Sequence, residues 1–328
     1  MGKKYQNAFF LFGLAVLAVM VWQLDFRESW RHIREAGYWF VAVVALWAWL
    51  YVHNTFTWYI IIHNGWPRKA DVGFWWLYKL TVSGFALNYA TPGGLMGGEP
   101  YRIMSLKPKI GTERASASVI LFAMTHIFSH FWFWLLSVVL FIAIQPVSIP
   151  IGIILAATTV FCLLGIWFFI AGYRKGLAVR AMTLLGHLPL ISRWATRFIT
   201  SHRAQLDHID HQIAALHEQN PRTFVMAVLS ELSCRIVSAL EIYFILRVIS
   251  PDASYLNSIL ILAFTSLFAN MLFFMPLQLG GREGGFLMSA SALSLSTDAG
   301  ILVALLVRIR ELIWTAIGLL LIKVKGEK

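Results

Sequence analysis

Two stretches of the chain share an order of residues: NYATPGGLMGGE at positions 88–99 and NMLFFMPLQLGGRE at positions 270–283. In each, a proline stands seven residues before a glutamate, Pro92 before Glu99 and Pro276 before Glu283, with paired glycines between. Both lie inside apolar sequence, 72–107 and 255–296. Proline removes a backbone donor and breaks the helical ladder. At membrane depth the freed backbone groups are tolerated only against protein or a wet cavity. The pattern therefore predicts two helical hairpins, with Pro92, Gly93, Gly94, Gly97, Gly98 and Pro276, Gly280, Gly281 as their hinges. The bland alternative makes Gly93/Gly97 and Gly280/Gly284 small-residue helix contacts. It accounts for the glycines and leaves the matched prolines and glutamates unexplained.

The surrounding sequence is built for lipid. Of 328 residues, 59% are hydrophobic and 13% charged, against about 45–50% and about 25% in soluble domains. Six further stretches, 7–24, 36–62, 112–144, 149–172, 221–249 and 298–324, approach or exceed the roughly 20 residues that cross a bilayer as a helix. The net charge of +11 does not suggest nucleic acid, because the basic residues flank apolar spans instead of forming a soluble basic face. Lys3/Lys4, Arg68/Lys69, Lys107/Lys109/Arg114, the run Arg174 to Arg203 and Lys323/Lys325/Lys328 belong on the cytoplasmic side, while loops 145–150 and 251–254 carry no Lys or Arg. That distribution is satisfied if 72–107 enters and leaves from the cytoplasm and 255–296 from the outer face. Arg27, Arg31 and Arg34 in the first outer loop argue mildly against it.

The expected fold is thus an all-α polytopic membrane protein, a single integral domain over 1–328. It has six transmembrane helices plus two re-entrant hairpins in an inverted-topology repeat. Segment 192–218, apolar at near-helical spacing with polar residues between, is expected as a cytoplasmic interfacial amphipathic helix. Both termini are expected in the cytoplasm, in a bacterial inner membrane. Lys3 and Lys4 before an apolar run resemble a signal-peptide start, but no small-residue cleavage site follows, so the first helix is expected to be retained.

Ionisable groups inside spans face cavities or partners. The last span carries Arg308, Arg310 and Glu311; span 221–249 carries Glu231 and Arg235 at i, i+4, then Glu241; the hairpins add Asn88, Glu99, Arg102, Asn270, Arg282 and Glu283. These side chains, Glu241 apart, are the expected substrate-binding set. Arginine forks and a half-helix N-terminus suit a phosphate-bearing ligand. Within the set, Arg308 is expected to pair with Glu311 on its own helix, which leaves Arg310 freer for a ligand; Glu231 and Arg235 are spaced so that a structural ion pair is the alternative to substrate binding. His126 and His130, at i, i+4 in an aromatic-rich helix, read as packing in preference to a metal or proton site. Asp207, His208, Asp210 and His211 read as a solvated face, and Cys162 and Cys234 as inert core residues. No metal, cofactor or catalytic residue is expected.

At TPGGLMGGEPYR (residues 91–102) and PLQLGGRE (residues 276–283) the chain resembles the flippase-like, lysylphosphatidylglycerol synthase transmembrane family, and the helix layout extends the resemblance over nearly its whole length. The resemblance implies translocation of a phospholipid or lipid-linked polar head group. Relatives that attach lysine to phosphatidylglycerol carry a further soluble aminoacyl-transferase module, which is not expected here. A membrane lipid is the implied substrate and a separate lipid-modifying enzyme a candidate partner; nucleic acid is not a partner, and no oligomeric state is implied. Competing functions are an integral membrane transferase acting on a lipid phosphate, with Glu99, Glu283 or a histidine as base, and a non-catalytic membrane subunit or small-solute transporter.

Overall fold

A computed structural model describes residues 3–22, 26–64, 70–90, 97–175, 200–201, 203–204, 207, 221–249, 252–271, 281–293 and 295–323. Of the expected interfacial helix at 192–218, only Thr200, Ser201, Arg203, Ala204 and Asp207 lie within that set. Pro92, Gly93, Gly94, Pro276 and Gly280 lie outside it.

The described residues form helices and no strands: α1 (Lys3–Trp22), α2 (Phe26–Ala36), α3 (Tyr38–His63), α4 (Phe74–Ala90), α5 (Gly98–Ile110), α6 (Thr112–Ile144), α7 (Ile149–Lys175), α8 (Pro221–Ile249), α9 (Tyr255–Met271), α10 (Gly281–Ala292) and α11 (Thr297–Lys323). Three segments among them, Tyr38–His63, Thr112–Ile144 and Ile149–Ala171, are long and apolar enough to cross a membrane. Helices α8 and α11 are as long, but each carries several charged residues. Large apolar side chains face outward: on α7, Ile149, Ile153, Leu164 and Trp167 are more than half exposed, as lipid contact requires and water does not favour.

Both proline motifs join antiparallel helices. In the first pair Asn88 meets Gly98 and Thr81 meets Arg102. In the second, Phe268 lies nearest Gly284 and Thr265 bonds Ser289. Contacts between the other helices sort the chain into two ends. Arg114 on α6 donates to Ile62 O at 2.7 Å, and Lys109 on α5 donates to Asp71 O at 3.3 Å, so the segment 72–107 begins and ends together. Lys323 bonds Asn7, and α11 runs antiparallel to α4 through Ser83–Gly318 and Tyr89–Glu311, which brings the start of α1 and the close of α11 to that same end. At the opposite end Gln145 Nε2 donates to Asn257 Oδ1 at 3.3 Å, joining the close of α6 to the start of α9.

The step from Pro92 to Pro276 is 184 residues. The same step carries α3, α4, α5 and α6 onto α8, α9, α10 and α11, to within a few residues at nearly every boundary. Packing repeats as well: α3 meets α4 and α6, α4 meets α5, and α5 meets α6; α8 meets α9 and α11, α9 meets α10, and α10 meets α11. Contacts between the halves obey the step with the halves exchanged, as in a self-complementary interface. Trp134 bonds Ser266 through Nε1 at 2.9 Å, and their counterparts Gly318 and Val82 are also in contact, a Cβ on Gly318 falling 2.8 Å from Val82 O. Cys234 Sγ reaches the carbonyl of Leu50, its own counterpart, at 3.9 Å, which places the exchange axis where α3 crosses α8.

Candidate functional site

Buried charge collects around that crossing in three groups, separated by aromatic rings. The first is built by the tight joint of α4 and α5. Asn88 accepts from the Gly98 N–H through Oδ1 at 2.7 Å and donates from Nδ2 to Glu99 Oε1 at 3.1 Å. It thus satisfies one of the open donors at the start of α5 while fixing the first carboxylate on that helix. Arg102, one turn on, donates to the same Glu99 oxygen at 3.1 Å and to Thr81 O at 3.3 Å. Its guanidinium lies 4.8 Å from the ring centroid of Phe85 and 5.5 Å from those of Trp58 and Phe122. The two glycines make room: a Cβ on Gly98 would stand 2.2 Å from Gly84 O, and one on Gly84 would stand 2.3 Å from Arg102 Nε. Glu99 Oε2 is buried without a hydrogen-bond partner.

In the second group Arg310 on α11 makes a two-point contact with Glu241 on α8, Nε to Oε1 at 2.7 Å and Nη2 to Oε2 at 2.9 Å. Glu311 Oε1 stands 3.8 Å from Arg310 Nη2 and accepts from the Tyr89 hydroxyl at 2.9 Å. Trp47 covers the guanidinium at 3.8 Å. Arg310 is therefore sealed between two carboxylates and an indole face, not the freer arginine that helix spacing predicts. Spacing within one helix carries no information about Glu241 on another. Arg308 is only partly buried.

The third group joins α6 to α8. His126 Nδ1 and Glu231 Oε2 are 2.7 Å apart, and Arg235 donates from Nε to Ser129 Oγ and from Nη2 to His126 O, each at 2.7 Å. The Glu231/Arg235 pair that helix spacing allows does not form; both side chains turn to α6, where Glu231 meets the imidazole and Arg235 the hydroxyl and the carbonyl. His130 stacks on Trp134 with ring centroids 5.1 Å apart. Tyr51 and Phe85 pack between the groups: Phe85 faces Arg102 at 4.8 Å and His126 at 6.2 Å, and Tyr51 meets Phe85 at 5.5 Å and Trp314 at 5.0 Å.

The expected residues divide accordingly. Asn88, Glu99 and Arg102 come together, as do Arg310 and Glu311, while Glu231 and Arg235 join the third group. Arg282 and Glu283 stand in the first turn of α10. Asn270 bonds the carbonyl of Ser266 on its own helix at 2.7 Å, unlike Asn88; the 184-residue step assigns Leu272, not Asn270, as the counterpart of Asn88. Trp47, Tyr89 and Glu241, absent from the expected set, complete the Arg310 group. Among the described residues no group of three or more His, Cys, Asp or Glu is placed to hold a metal ion.

A family model described as lysylphosphatidylglycerol synthase TM region matches residues 8–318. The chain belongs to this family. The lysylphosphatidylglycerol synthase TM region thus spans both halves of the repeat and all three charge groups, and the family ties an integral membrane protein to lipid. No curated protein and no solved structure matches the chain.

Proposed function

We propose that the protein moves a phospholipid, or a lipid-linked polar head group, across the cytoplasmic membrane. The head group passes along the charged groups between the two hairpins while the acyl chains stay in the bilayer. One observation carries this reading: Glu99, Arg102 and Asn88 form a buried polar knot at the joint of a broken helix pair, within an apolar protein. Groups so expensive at membrane depth are kept where something polar must be met. An apolar cavity bordered by Trp134, Phe141, Leu155, Phe264 and Leu293 lies beside the second hairpin and suits an acyl chain.

In the topology that goes with this reading, α1, α3, α6, α7, α8 and α11 cross the membrane, α4–α5 re-enters from the cytoplasm and α9–α10 from the outer face. The gathering of Asn7, Ile62, Asp71, Lys109, Arg114 and Lys323 at one end supports it. That end is rich in basic residues, as the cytoplasmic side should be.

Purified protein in liposomes containing head-group-labelled fluorescent phospholipid tests the function. Transbilayer movement of intact lipid above that of empty liposomes is the expected result. A chemically altered lipid would instead indicate a transferase, and neither outcome would leave the lipid reading without support.

A further inference from the structure

The 184-residue step places His126 and Arg310 at equivalent positions, and likewise Glu231 and Trp47. The contact, which joins the two halves, is kept at both positions: His126 meets Glu231 at 2.7 Å and Arg310 meets Trp47 at 3.8 Å. Its chemistry is not. In one half a permanently charged guanidinium is fully buried and neutralised by Glu241 and Glu311. In the other an ionisable imidazole, its side chain 32% exposed, faces a carboxylate that is 1% exposed.

From this difference we infer that His126 and Glu231 form a proton-binding site whose occupancy is coupled to lipid movement; the coupling rests on the function proposed above. With Nδ1 donating to Glu231 Oε2, the neutral imidazole carries its lone pair on Nε2, and that nitrogen takes a proton from water. The product is an imidazolium held by the carboxylate, and the same proton leaves from Nε2 when the site opens to the other side. Two buried atoms show that the site is not filled by its own structure: Glu231 Oε1 and His130 Nδ1 both lack a hydrogen-bond partner.

The surrounding charges frame the change. Arg235 on α8 lies against the His126 carbonyl, and His130 is the next ring along α6, 5.6 Å away. Arg102 on α5 stands at Phe85, whose ring also meets His126. On α3, His53 turns to Ser233, and Tyr51 meets Phe85. On α9 the Tyr255 hydroxyl bonds the Ile236 carbonyl, and on α7 Cys162 is buried among apolar side chains. Across the three groups Arg102, Arg235 and Arg310 face Glu99, Glu231, Glu241 and Glu311, with Glu99 and Arg235 only partly buried, so the set carries one negative charge in excess when the histidines are neutral. One proton on His126 balances it. A fixed cation at the Arg310 position and a removable one at its counterpart give the two halves different charge states, which is what a gradient needs to act on.

The test uses proteoliposomes with fluorescent phospholipid outside and a trapped pH dye inside, with and without an imposed gradient of one pH unit. The ratio of lipid movement with the gradient to movement without it should rise by up to about tenfold, the activity ratio of the proton across that gradient. Luminal acidification should accompany it. Glu231→Gln and His126→Asn should bring the ratio to one. His126→Arg, which copies the counterpart and keeps the ion pair, should do so as well in protein that folds normally. An unchanged wild-type ratio, or a gradient response retained in His126→Arg, would overturn the proton site and leave lipid movement standing. If wild type moves no lipid, the proposed function fails and the dye decides the site: faster acidification than in His126→Arg supports it, and equal acidification rejects it.

Discussion

Arg310 and Glu241 form a two-point ion pair between α11 and α8, with Nε–Oε1 and Nη2–Oε2 separations of 2.7 and 2.9 Å and Arg310 fully buried. The two helices belong to the same half of the repeat, so the pair fixes that half internally. Breaking a buried pair by removing one charge costs about 3–5 kcal/mol, because the other charge remains buried. Glu241→Gln should therefore lower the thermal unfolding midpoint in detergent markedly. Arg310→Lys should lower it too, since an ammonium cannot reproduce the fork. Unchanged midpoints in both variants would mean the pair contributes nothing to the fold.

The Asn88 side chain acts on two groups at once, which separates its roles. Asn88→Ala leaves the Gly98 N–H and Glu99 without this partner and should destabilise by about 1–3 kcal/mol. Asn88→Asp keeps an acceptor for Gly98 but puts a second carboxylate beside Glu99. Glu99→Gln keeps the shape and removes the charge. If Glu99 meets the head group, Glu99→Gln should slow lipid movement per folded protein in liposomes and, because it leaves buried Arg102 without its carboxylate, also lower the unfolding midpoint; Asn88→Ala should change both as well. Wild-type transport in Glu99→Gln would take this carboxylate out of the mechanism.

Close approach of α4 and α5 depends on Gly84 and Gly98, where an added Cβ would fall 2.3 Å from Arg102 Nε and 2.2 Å from Gly84 O. The obstacle at Gly98 is backbone, which cannot rotate away. Gly98→Ala should thus destabilise by about 1–3 kcal/mol, the usual range for overpacking. Gly73→Ala, where a Cβ meets nothing within 4 Å, serves as the control and should stay within about 0.5 kcal/mol of wild type. Equal midpoints for the two variants would show that the joint is looser than this packing implies.

How far the sequence revealed this arrangement depends on whether a feature is local. The hairpins were legible because proline and paired glycines interrupt a helix wherever they occur, and the helix bounds followed from apolar length. Asn88, Glu99 and Arg102 were legible for the same reason, since they lie within a turn or two of one joint. The partner of Arg310 was not, because Glu241 is 69 residues away and helix spacing gives Glu311 to Arg308 instead. Spacing within α6 gives His126 only a packing role, because its partner Glu231 lies on α8. The 184-residue step sets His126 against Arg310 once the repeat is extended beyond its two motifs, which marks the imidazole as the counterpart of a buried charge.

Orientation is open to direct measurement. Natural Cys162 and Cys234 are buried, so single cysteines introduced at the ends of the helices should dominate labelling by an impermeant maleimide. Asp71 and Lys109 share one end of the protein, and Gln145 and Asn257 share the other. If α4–α5 re-enters from the cytoplasm, Asp71→Cys and Lys107→Cys should both resist reagent added to intact cells and react after permeabilisation. Gln145→Cys and Asp252→Cys should react without permeabilisation. The two members of each set must behave alike, because a hairpin that enters and leaves by one face lies between the first two and a pair of crossings, α7 and α8, between the second. A Lys107→Cys variant labelled from outside, beside an Asp71→Cys variant that is protected, would require a full crossing between them and would remove the re-entrant hairpin from the topology.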